Sequence, residues 1–300
     1  QCKRSYIAGD DDQTIYGFQG AEPDIFVNLQ GTFDPPEDSY RVPRKVHKKA
    51  LEVISQITKE NRVNKKWNAR DAEGEIFENM YLDEIDFSEG NWMILARTNK
   101  LLINISEHFY SLGVRFTGKT NKYLPNSILE VYKVWKRLNQ VAFGSPEEAE
   151  RLYNFLLGKK GHVRRGYSDG KTIQRETSVD LDKLKSEHGL LIDGDWKQLH
   201  FPEDTKEYMQ TLLERGDTLM EKSKIQLLTL HGSKGKECEN VCLFTDYGTE
   251  GQDEFIYRSA YENPDAEHRL FYVGTTRAKE NLYVMQPTSD YYYTIGRPIV

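Results

Sequence analysis

One eight-residue stretch of the sequence has the residue types and the spacing of a nucleotide-binding loop. Residues 113–120 read GVRFTGKT and fit the phosphate-loop pattern G-x-x-x-x-G-K-[ST] at every specified position. In such a loop, backbone N–H groups surround the phosphates and the lysine neutralises their charge. This chemistry requires a strand before the loop and a helix that begins at the lysine, so the neighbouring elements decide whether the pattern is functional.

The segments around this stretch predict a different local structure. Residues 99–112 have helical hydrophobic spacing and end at Gly113, a typical helix-stopping residue. The residues that follow the stretch show no helical apolar period. We therefore favour a turn, a short strand and a second turn over residues 113–120. A genuine phosphate loop stays as the alternative, and it predicts nucleotide binding that Lys119→Ala would abolish.

The bulk composition limits the classes of protein to which the chain can belong. Of its 300 residues, 38% are hydrophobic and 29% are charged, which fits folded domains and excludes a disordered chain. This length favours about two domains. The net charge of −6 provides no overall basic field, so any contact with nucleic acid must come from a local basic and aromatic surface.

Other features of the sequence concern redox state, membranes and processing. The cysteines Cys2, Cys238 and Cys242 lack metal-binding spacing, so we expect reduced, buried thiols and predict no metal site. No apolar run approaches the roughly eighteen residues of a membrane helix, and the N-terminus lacks a signal-peptide pattern. Because the chain begins within a predicted strand and without methionine, we expect it to be part of a longer protein.

Hydrophobic spacing predicts strands that alternate with helices along most of the chain. Strands are predicted at residues 3–8, 31–34, 75–82, 91–98, 224–232, 240–247 and 281–285. Helices are predicted at residues 22–30, 43–59, 99–112, 127–142, 146–157, 204–220 and 264–278. This alternation is typical of an α/β fold with a parallel sheet and helices on both faces. Residues 158–205 have weak periodicity and are interpreted as part of an insertion.

Four segments of the chain carry polar motifs in a recognisable order. They are GDDDQTIYGFQGA at residues 9–21, SYR at 39–41, LLTLHGSKGKECENVCLF at 227–244 and EHRLFYVGTTRAKENLYV at 267–284. In this order they resemble motifs III, IV, V and VI of the UvrD/Rep/PcrA-like superfamily 1 DNA helicases. A fifth segment, ILARTNK at 94–100, resembles the additional motif that lies between IV and V in that family.

The resemblance implies two RecA-like domains that enclose ATP in a cleft while single-stranded DNA crosses their tops. Residues 1–38 would form the tail of the first RecA-like domain, which contains motif III. Residues 39–130 and 222–300 would form the second RecA-like domain, and residues 131–221 a shortened inserted subdomain. The phosphate loop and the Mg²⁺-binding motif of the family would precede residue 1. The chain would then hold half an ATPase site and be inactive alone.

By this resemblance, three residues would act on the phosphates of ATP. Gln13 would sense the γ-phosphate and orient the attacking water, while Arg41 and Arg277 would neutralise the charge on the transferred group. Guanidinium groups suit this task because they stay charged and match phosphate oxygens with a planar fork. The alternative for either arginine is a surface salt bridge, and for Gln13 a polar loop residue.

Three further residues would bind the rest of the nucleotide. Tyr40 would stack on the adenine and Glu237 would accept hydrogen bonds from the ribose hydroxyls, with Gly235 as a further binding position in motif V. A core-edge tyrosine and a solvated glutamate are the alternatives. Lys236 and Cys238 stand where the family usually has an aliphatic and an aromatic residue. The implied cofactors are ATP and Mg²⁺, with the Mg²⁺ ligands outside this chain.

The three aspartates before Gln13 require a separate interpretation. Asp10, Asp11 and Asp12 lack the glycine and the later glutamate of a calcium-binding loop. We therefore predict a capped turn with solvated carboxylates rather than a metal site.

The resemblance also implies a path for single-stranded DNA, which a sequence-tolerant protein binds through aromatic faces and phosphate contacts. Tyr16 and Phe18 match the aromatic positions of motif III, and Phe18, in place of the usual tryptophan, would stack on a base. Gly17 and Gln19 replace common arginines of that motif. The remaining candidates for contacts with DNA are Arg97, Thr98, Asn99, Thr229, His231 and Lys234. For His231, a DNA contact, a coupling role between two sites and a satisfied core histidine all stay open.

Together these assignments predict the C-terminal part of an ATP-dependent DNA helicase or translocase. It would move 3′→5′ on single-stranded DNA in the cytoplasm, encoded by a bacterium or a phage. Its partners would be single-stranded DNA, duplex junctions and the N-terminal RecA-like domain. One alternative is a non-catalytic DNA- or partner-binding module derived from a helicase half, and another is the helicase part of a helicase–nuclease.

Overall fold

The chain divides into two compact units, each with its own cluster of buried hydrophobic side chains. The first unit consists of Gln1–His108, Phe116–Lys122 and Ser223–Val300, and the second of Phe109–Arg115 and Tyr123–Lys222. Within them, the computed structural model describes residues 7–32, 38–118, 124–140, 144–156, 161–167, 173 and 176–299.

A six-stranded parallel sheet forms the centre of the first unit. In chain order the strands are β1 (Asp38–Pro43), β2 (Asn68–Arg70), β3 (Glu75–Met80), β4 (Trp92–Ala96), β5 (Thr117–Gly118), β6 (Ile225–Thr229), β7 (Cys238–Leu243) and β8 (Ala278–Met285). The sheet has the order β3-β8-β7-β4-β6-β5, and every neighbouring pair is parallel. Strands β1 and β2 form a separate parallel pair. The predicted α/β fold with a parallel sheet is confirmed.

The central strand β4 shows why this sequence forms a parallel sheet. All five of its residues are buried, in register with β6 on one side and β7 on the other. A strand covered on both faces tolerates a continuous apolar run such as Trp92–Ala96, whereas a half-exposed strand alternates. The carboxyl ends of β4 and β6 therefore lie side by side, and so do the amino ends of β7 and β8, where Cys238 pairs with Ala278.

The helices between the strands follow the predicted hydrophobic spacing. In chain order they are α1 (Pro23–Val27), α2 (Arg44–Ile54), α3 (Asn99–Ser111), α4 (Asn126–Gln140), α5 (Pro146–Leu156), α6 (Leu181–Ser186), α7 (Glu203–Glu214), α8 (Asp253–Glu262) and α9 (Pro264–Thr275). In α2, Val46, Ala50 and Val53 are buried on one face, as expected for a helix that covers a sheet.

Helix α9 is the most enclosed helix of the first unit. Asn263 caps its start by accepting a hydrogen bond from the backbone N–H of Ala266, and Pro264 occupies the first turn. Most of its side chains are buried, including Glu267 and Arg269. Buried charges require partners, so this helix is held in place by polar contacts as well as by hydrophobic packing.

The second unit packs helices α4 to α7 around a separate core. Trp135 of α4, Tyr153 of α5 and Met209 of α7 are among its buried side chains. The indole N–H of Trp135 donates to the carbonyl oxygen of Gly194 at 3.2 Å, which satisfies its polar atom inside the core. The weakly patterned segment thus contributes to a folded core, although its sequence shows only short elements.

Several local predictions differ from the structure. The helix predicted at 43–59 ends at Ile54, and the sequence analysis missed β1, β2, α6 and α8. Strand β1 escaped notice because its residues alternate between exposed and half-buried until Val42, without an apolar run. The strands predicted at 3–8 and 31–34 fall largely outside the described residues.

The structure also bears on the stretch that resembles a phosphate loop. Helix α3 precedes Gly113, which has a positive φ of 58°, and the short strand β5 ends at Gly118. The predicted turn and strand are therefore confirmed, and the strand that a phosphate loop needs before its first glycine is replaced by a helix. Lys119 and Thr120 lie outside the described residues.

A search of the described residues for membrane-crossing helices gives a negative result. No helix in that part of the chain is both long enough and apolar enough to cross a membrane.

Gly74, which precedes β3, generates a test of the fold. Its φ is +68°, and an added Cβ would lie 2.5 Å from Cγ of Pro43 and 2.9 Å from the carbonyl oxygen of Glu280. We expect Gly74→Ala to lower the free energy of unfolding by about 2–4 kcal/mol, from backbone strain plus overpacking. Gly251→Ala is the matched control, because Gly251 has φ +83° but open space around it. Urea unfolding should show the larger loss for Gly74→Ala, and equal losses would contradict the predicted steric contact.

Candidate functional site

A cavity of about 930 Å³ in the first unit brings together four residues that the sequence analysis assigned to nucleotide binding. Gln13, Tyr40, Arg41 and Glu237 all line it. They come from three segments of the chain that are far apart in sequence. The volume lies within the range of about 300–1,000 Å³ that is common for ligand pockets.

Arg41 reaches the cavity from β1. Its Nη1 lies 3.9 Å from Oε2 of Glu237, and its side chain is 27% exposed. The buried Nε of Arg41 has no hydrogen-bond partner among the described residues. Burial lowers the pKa of Arg41 from its usual value, while Glu237 opposes this shift. The guanidinium thus offers the cavity a positive charge that a neighbouring carboxylate offsets only partly.

Arg277 lies at the amino end of β8, next to the same glutamate segment. Its Nη1 donates to the carbonyl oxygen of Lys236 at 3.1 Å, and its Nε donates to that of Val273 at 2.8 Å. The residue is 1% exposed. Burial, followed by repulsion from Arg41, lowers the pKa of Arg277 to about 10. The two arginines therefore lie close enough to affect each other, and both stay charged at neutral pH.

The other predicted nucleotide-binding residues differ in their surroundings. Tyr40 is 92% exposed, so the alternative of a core-edge tyrosine is wrong. Glu237 lies between two cations, with its Oε1 3.3 Å from Nζ of Lys279 and its Oε2 facing Arg41. Its side chain is 48% exposed, so the alternative of a solvated glutamate stays open. Gly235 has a φ of +80°, which glycine adopts without strain, and it is not among the residues that line the cavity.

The aspartates before Gln13 are not solvated as predicted. Asp11 and Asp12 are 1% and 0% exposed. Asp10 does cap the turn, because its side chain accepts the backbone N–H of Asp12 at 3.2 Å and the amide of Gln13 at 2.5 Å. The capped turn is confirmed and the solvation is wrong, because partners from a distant segment cover the carboxylates.

These partners are Lys65 and Arg62, to which the sequence analysis assigned no role. Nζ of Lys65 lies 2.5 Å from Asp10 and Asp11 and 2.9 Å from Asp12. Arg62 forms a two-point contact with Asp12 at 2.9 and 3.1 Å. Burial by itself would lower the pKa of Lys65, but the attraction of the aspartates outweighs this effect, so the pKa of Lys65 is raised. We call these five residues the aspartate clamp.

The aspartate clamp fixes the loop that carries Gln13. Arg269 of α9 adds two further contacts, donating from Nε to the carbonyl oxygen of Asp11 at 3.0 Å and from Nη2 to that of Asn61. The ammonium of Lys65 occupies the position between the three carboxylates that a metal ion would need. One sequence signal could have identified Lys65. It is the run of Lys65, Lys66 and Trp67 after motif IV, and all three residues of this run line the cavity.

A second group of predicted residues forms an aromatic cluster of Tyr16, Phe18, His231 and Lys234. The ring of Phe18 lies 5.4 Å from that of His231 and 5.9 Å from that of Tyr16. The hydroxyl of Tyr16 donates to the carbonyl oxygen of His231 at 3.1 Å, and Nζ of Lys234 lies 5.3 Å from the centre of the Tyr16 ring. Phe18 is 71% exposed, so one aromatic face is open to a ligand.

His231 and Arg97 meet because they follow neighbouring strands, β6 and β4. Burial, together with the positive charge of Arg97, lowers the pKa of His231 to about 4. His231 is therefore neutral at pH 7 and adds no charge to a DNA contact. Arg97 is itself paired with Glu267, whose Oε1 lies 2.5 Å from its Nε. Burial raises the pKa of Glu267, although Arg97 opposes the shift.

The remaining candidates for DNA contacts have local structural partners. Oγ1 of Thr98 accepts the backbone N–H of Leu101 at 3.2 Å, which caps the start of α3. Oγ1 of Thr229 accepts the backbone N–H of Gly232 at 3.1 Å. Asn99 is exposed at the first position of α3. Of these three, Asn99 is the side chain with the most direct access to solvent.

Comparisons with known proteins agree with the motif order. Residues 203–288 match the UvrD-like helicase C-terminal domain. The chain is 27% identical to a probable DNA helicase II homolog of Mycoplasma genitalium over 216 residues. The aligned residues cover 63% of this chain and 28% of that protein. A probable DNA helicase II homolog of Mycoplasma capricolum is 26% identical over 168 residues, covering 54% of this chain and 22% of that protein.

The chain is also similar to the ATP-dependent DNA helicase Rep of Escherichia coli. The identity is 37% over 81 residues, which cover 26% of this chain and 11% of Rep. In all three comparisons the chain spans less than a third of the relative's own length. The resemblance inferred from the sequence motifs is confirmed.

The aspartate clamp generates a prediction on stability. Lys65→Met removes the cation shared by three carboxylates and leaves Asp11 buried without a charged partner, so we expect a loss of about 3–5 kcal/mol in the free energy of unfolding. Lys66→Met is the matched control, since Lys66 is the exposed neighbour. Urea unfolding at pH 7 measures both variants. Equal stability of the Lys65 and Lys66 variants would show that the clamp does not stabilise the fold.

Proposed function

We propose that this chain, which contains a UvrD-like helicase C-terminal domain, is part of an ATP-dependent DNA helicase that couples ATP hydrolysis to movement on single-stranded DNA. The observation that carries the proposal is the shared cavity of Gln13, Tyr40, Arg41 and Glu237, with Arg277 beside it. Motif resemblance alone requires only the right residues in order. Their convergence on one cavity is an independent, geometric requirement of an ATPase site.

ATP fits the residues of the cavity by chemical type. The exposed ring of Tyr40 offers a face for the adenine base, and the Oε atoms of Glu237 are acceptors for ribose hydroxyls. Arg41 offers a guanidinium, with an unpartnered Nε, to the phosphates. We assign no Mg²⁺ ligand within this chain, because Lys65 and Arg62 already hold the aspartates of the clamp. The Mg²⁺ ligands would come from the rest of the protein.

The two arginines would make hydrolysis depend on closure around the nucleotide. Arg41 would contact the γ-phosphate directly, and its position in the lining of the cavity supports this role. Arg277 is buried, and three of its five N–H groups are bound by Val273, Lys236 and Thr276. Its other two N–H groups have no hydrogen-bond partner among the described residues and would be available to a phosphate oxygen, while its charge would raise the potential at the cavity. Gln13, held by Asp10, would orient the attacking water.

The aromatic cluster supplies the DNA-binding part of the proposal. Phe18 would stack on a base, and Lys234 and Asn99 would contact the sugar–phosphate backbone. For His231 the structure favours a positioning role, because it is neutral at pH 7 and packs on the ring of Phe18. Arg97 would contact DNA in one of two ways. It would either keep its ion pair with Glu267 or exchange Glu267 for a phosphate of the DNA.

The organisation of the whole protein also belongs to this proposal. Residues 1–38 would be the tail of a first RecA-like domain, residues 39–130 and 222–300 the second, and residues 131–221 an inserted subdomain. The direction of movement would be 3′→5′, and duplex junctions and the first RecA-like domain would be partners. The chain by itself would not hydrolyse ATP, because its one phosphate-loop pattern follows a helix. ATP turnover by the purified chain would refute this last point.

Arg41→Ala tests the nucleotide site in the protein that contains this chain. We expect DNA-stimulated ATP hydrolysis to fall about 10³-fold, because an arginine that stabilises the transferred phosphoryl group contributes about 10³–10⁵ in rate. Arg44→Ala is the control, since Arg44 lies three residues away and pairs on the surface with Asp71. Arg277→Lys keeps the positive charge but loses the planar guanidinium that can bind two oxygens at once, so it should lower kcat by a similar factor.

Steady-state assays of these variants separate the candidate functions. Normal ATP turnover in Arg41→Ala would remove the assigned role. Absence of turnover in the wild-type protein, with DNA binding retained, would favour the non-catalytic module.

Phe18→Ala tests the proposed stacking on DNA. We expect the affinity for single-stranded oligonucleotides to fall by about 1–3 kcal/mol, because base–aromatic stacking contributes this much per base. Phe255→Ala is the matched control, since Phe255 is 77% exposed elsewhere in the first unit. Fluorescence anisotropy at fixed salt measures both. Equal affinities of the two variants would remove Phe18 from the DNA path.

A further inference from the structure

Three side chains of the second unit bring metal-binding atoms together. Glu176, Glu187 and His188 each place one ligand atom so that all three atoms lie within 4.8 Å of one another. One residue precedes α6 and two directly follow it. The group belongs to neither the nucleotide cavity nor the aromatic cluster.

The local fold fixes two of these residues at the end of α6. Asp180 caps the start of the helix by accepting the backbone N–H of Lys183 at 2.7 Å. The buried hydroxyl of Tyr153 lies 3.2 Å from the carbonyl oxygen of Leu184 and 3.0 Å from that of His188. Gly189 then reverses the chain with a φ of +68°. The position of His188 therefore depends on the core of the unit and not on an exposed loop.

The imidazole of His188 provides an observation independent of the carboxylates. His188 is 5% exposed, and its buried Nε2 has no hydrogen-bond partner among the described residues. The nearest charged atom is Oε1 of Glu176 at 3.6 Å, which is too long for a hydrogen bond. An unpaired buried polar atom costs about 1–3 kcal/mol, so such atoms commonly have a partner. Here the nearest carboxylate oxygen to the atom is that of Glu176.

The two carboxylates are arranged so that oxygens stay available. Lys183 binds Oε2 of Glu176, which leaves Oε1 on the side of His188. Glu187 is exposed and can rotate towards the imidazole without displacing core residues. The lysine lowers the net negative charge of the group and orients Glu176, as outer partners of metal-binding carboxylates do.

We propose that Glu176, Glu187 and His188 bind one divalent transition-metal ion of the zinc class. One imidazole nitrogen and two carboxylate oxygens suit Zn²⁺, whereas Mg²⁺ and Ca²⁺ prefer oxygen ligands alone. Zn²⁺ binds such atoms at about 2.0–2.2 Å. Ligands must then approach to roughly 3–3.5 Å from each other, which a rotation of Glu187 allows, and water would complete a tetrahedral set.

The bound ion would cross-link the chain on both sides of α6. This helix is only six residues long and lies in the segment with the weakest hydrophobic pattern. A metal cross-link is a common means of stabilising such a segment. The competing description is a contact between His188 and Glu176 without any metal.

Calorimetric titration of the chelator-treated protein with ZnCl₂ tests the proposal. We expect one Zn²⁺ per chain and a rise in the thermal unfolding midpoint on addition of Zn²⁺, with no comparable effect of MgCl₂ or CaCl₂. Glu187→Gln removes an exposed ligand and leaves the core intact, so it should fold normally and bind Zn²⁺ at least about tenfold more weakly. His188→Ala should bind still more weakly.

The controls distinguish this site from adventitious binding. Glu130→Gln and His200→Ala remove an exposed carboxylate and an exposed imidazole elsewhere in the second unit, and both should bind Zn²⁺ like the wild type. Co²⁺ substitution should give a visible absorption spectrum typical of nitrogen and oxygen ligands, which Glu187→Gln changes. No stoichiometric Zn²⁺ binding, or equal binding by the Glu187 and Glu130 variants, would overturn the proposal and leave the contact without a metal.

Discussion

The candidate ATPase site depends on two arginine side chains that are held close together, Arg277, which is buried, and Arg41, which is half-buried. Burial lowers the pKa of Arg41, and burial together with Arg41 lowers the pKa of Arg277 to about 10. Both groups nevertheless stay charged at neutral pH. Glu237 offsets one charge at 3.9 Å, so the pair retains a net attraction for a polyanion.

The parallel sheet explains how the two arginines come together. Strands β7 and β8 are neighbours, so Glu237 and Arg277, which directly precede them, meet at the same end of the sheet. The carboxyl ends of β4 and β6 bring Arg97 and His231 together in the same way. The loop from Asp10 to Phe18 lines the candidate nucleotide cavity through Asp10 and Gln13, and it contacts His231 through Tyr16 and Phe18. One loop thus contributes to both the candidate nucleotide site and the candidate DNA surface.

The sequence was sufficient for those parts of the site that are carried by short motifs. The parallel sheet and the helix before Gly113 follow from local patterns, whereas the grouping of Gln13, Tyr40, Arg41 and Glu237 was implied by the family resemblance. The aspartate clamp could not be predicted, because Lys65 meets Asp11 across more than fifty residues of chain. The solvation expected for Asp11 and Asp12 was wrong for the same reason. Local composition describes a residue's neighbours in sequence and not its partners in space.

The proposed metal ligands were missed for a related reason. Glu176 is separated from Glu187 and His188 by a helix, and this spacing matches no metal-binding motif. The observation that identifies them, the unpaired Nε2 of His188, exists only in the folded chain. Strand β1 was missed because it has no apolar run, although it carries both Tyr40 and Arg41.

The most direct measurement of the central claim is a crystal structure of the intact protein with Mg²⁺ and a non-hydrolysable ATP analogue. The account predicts guanidinium nitrogens of Arg41 and Arg277 within hydrogen-bond distance of phosphate oxygens, and the ring of Tyr40 against the adenine. A nucleotide bound at residues 113–120, or phosphates that neither arginine contacts, would contradict it.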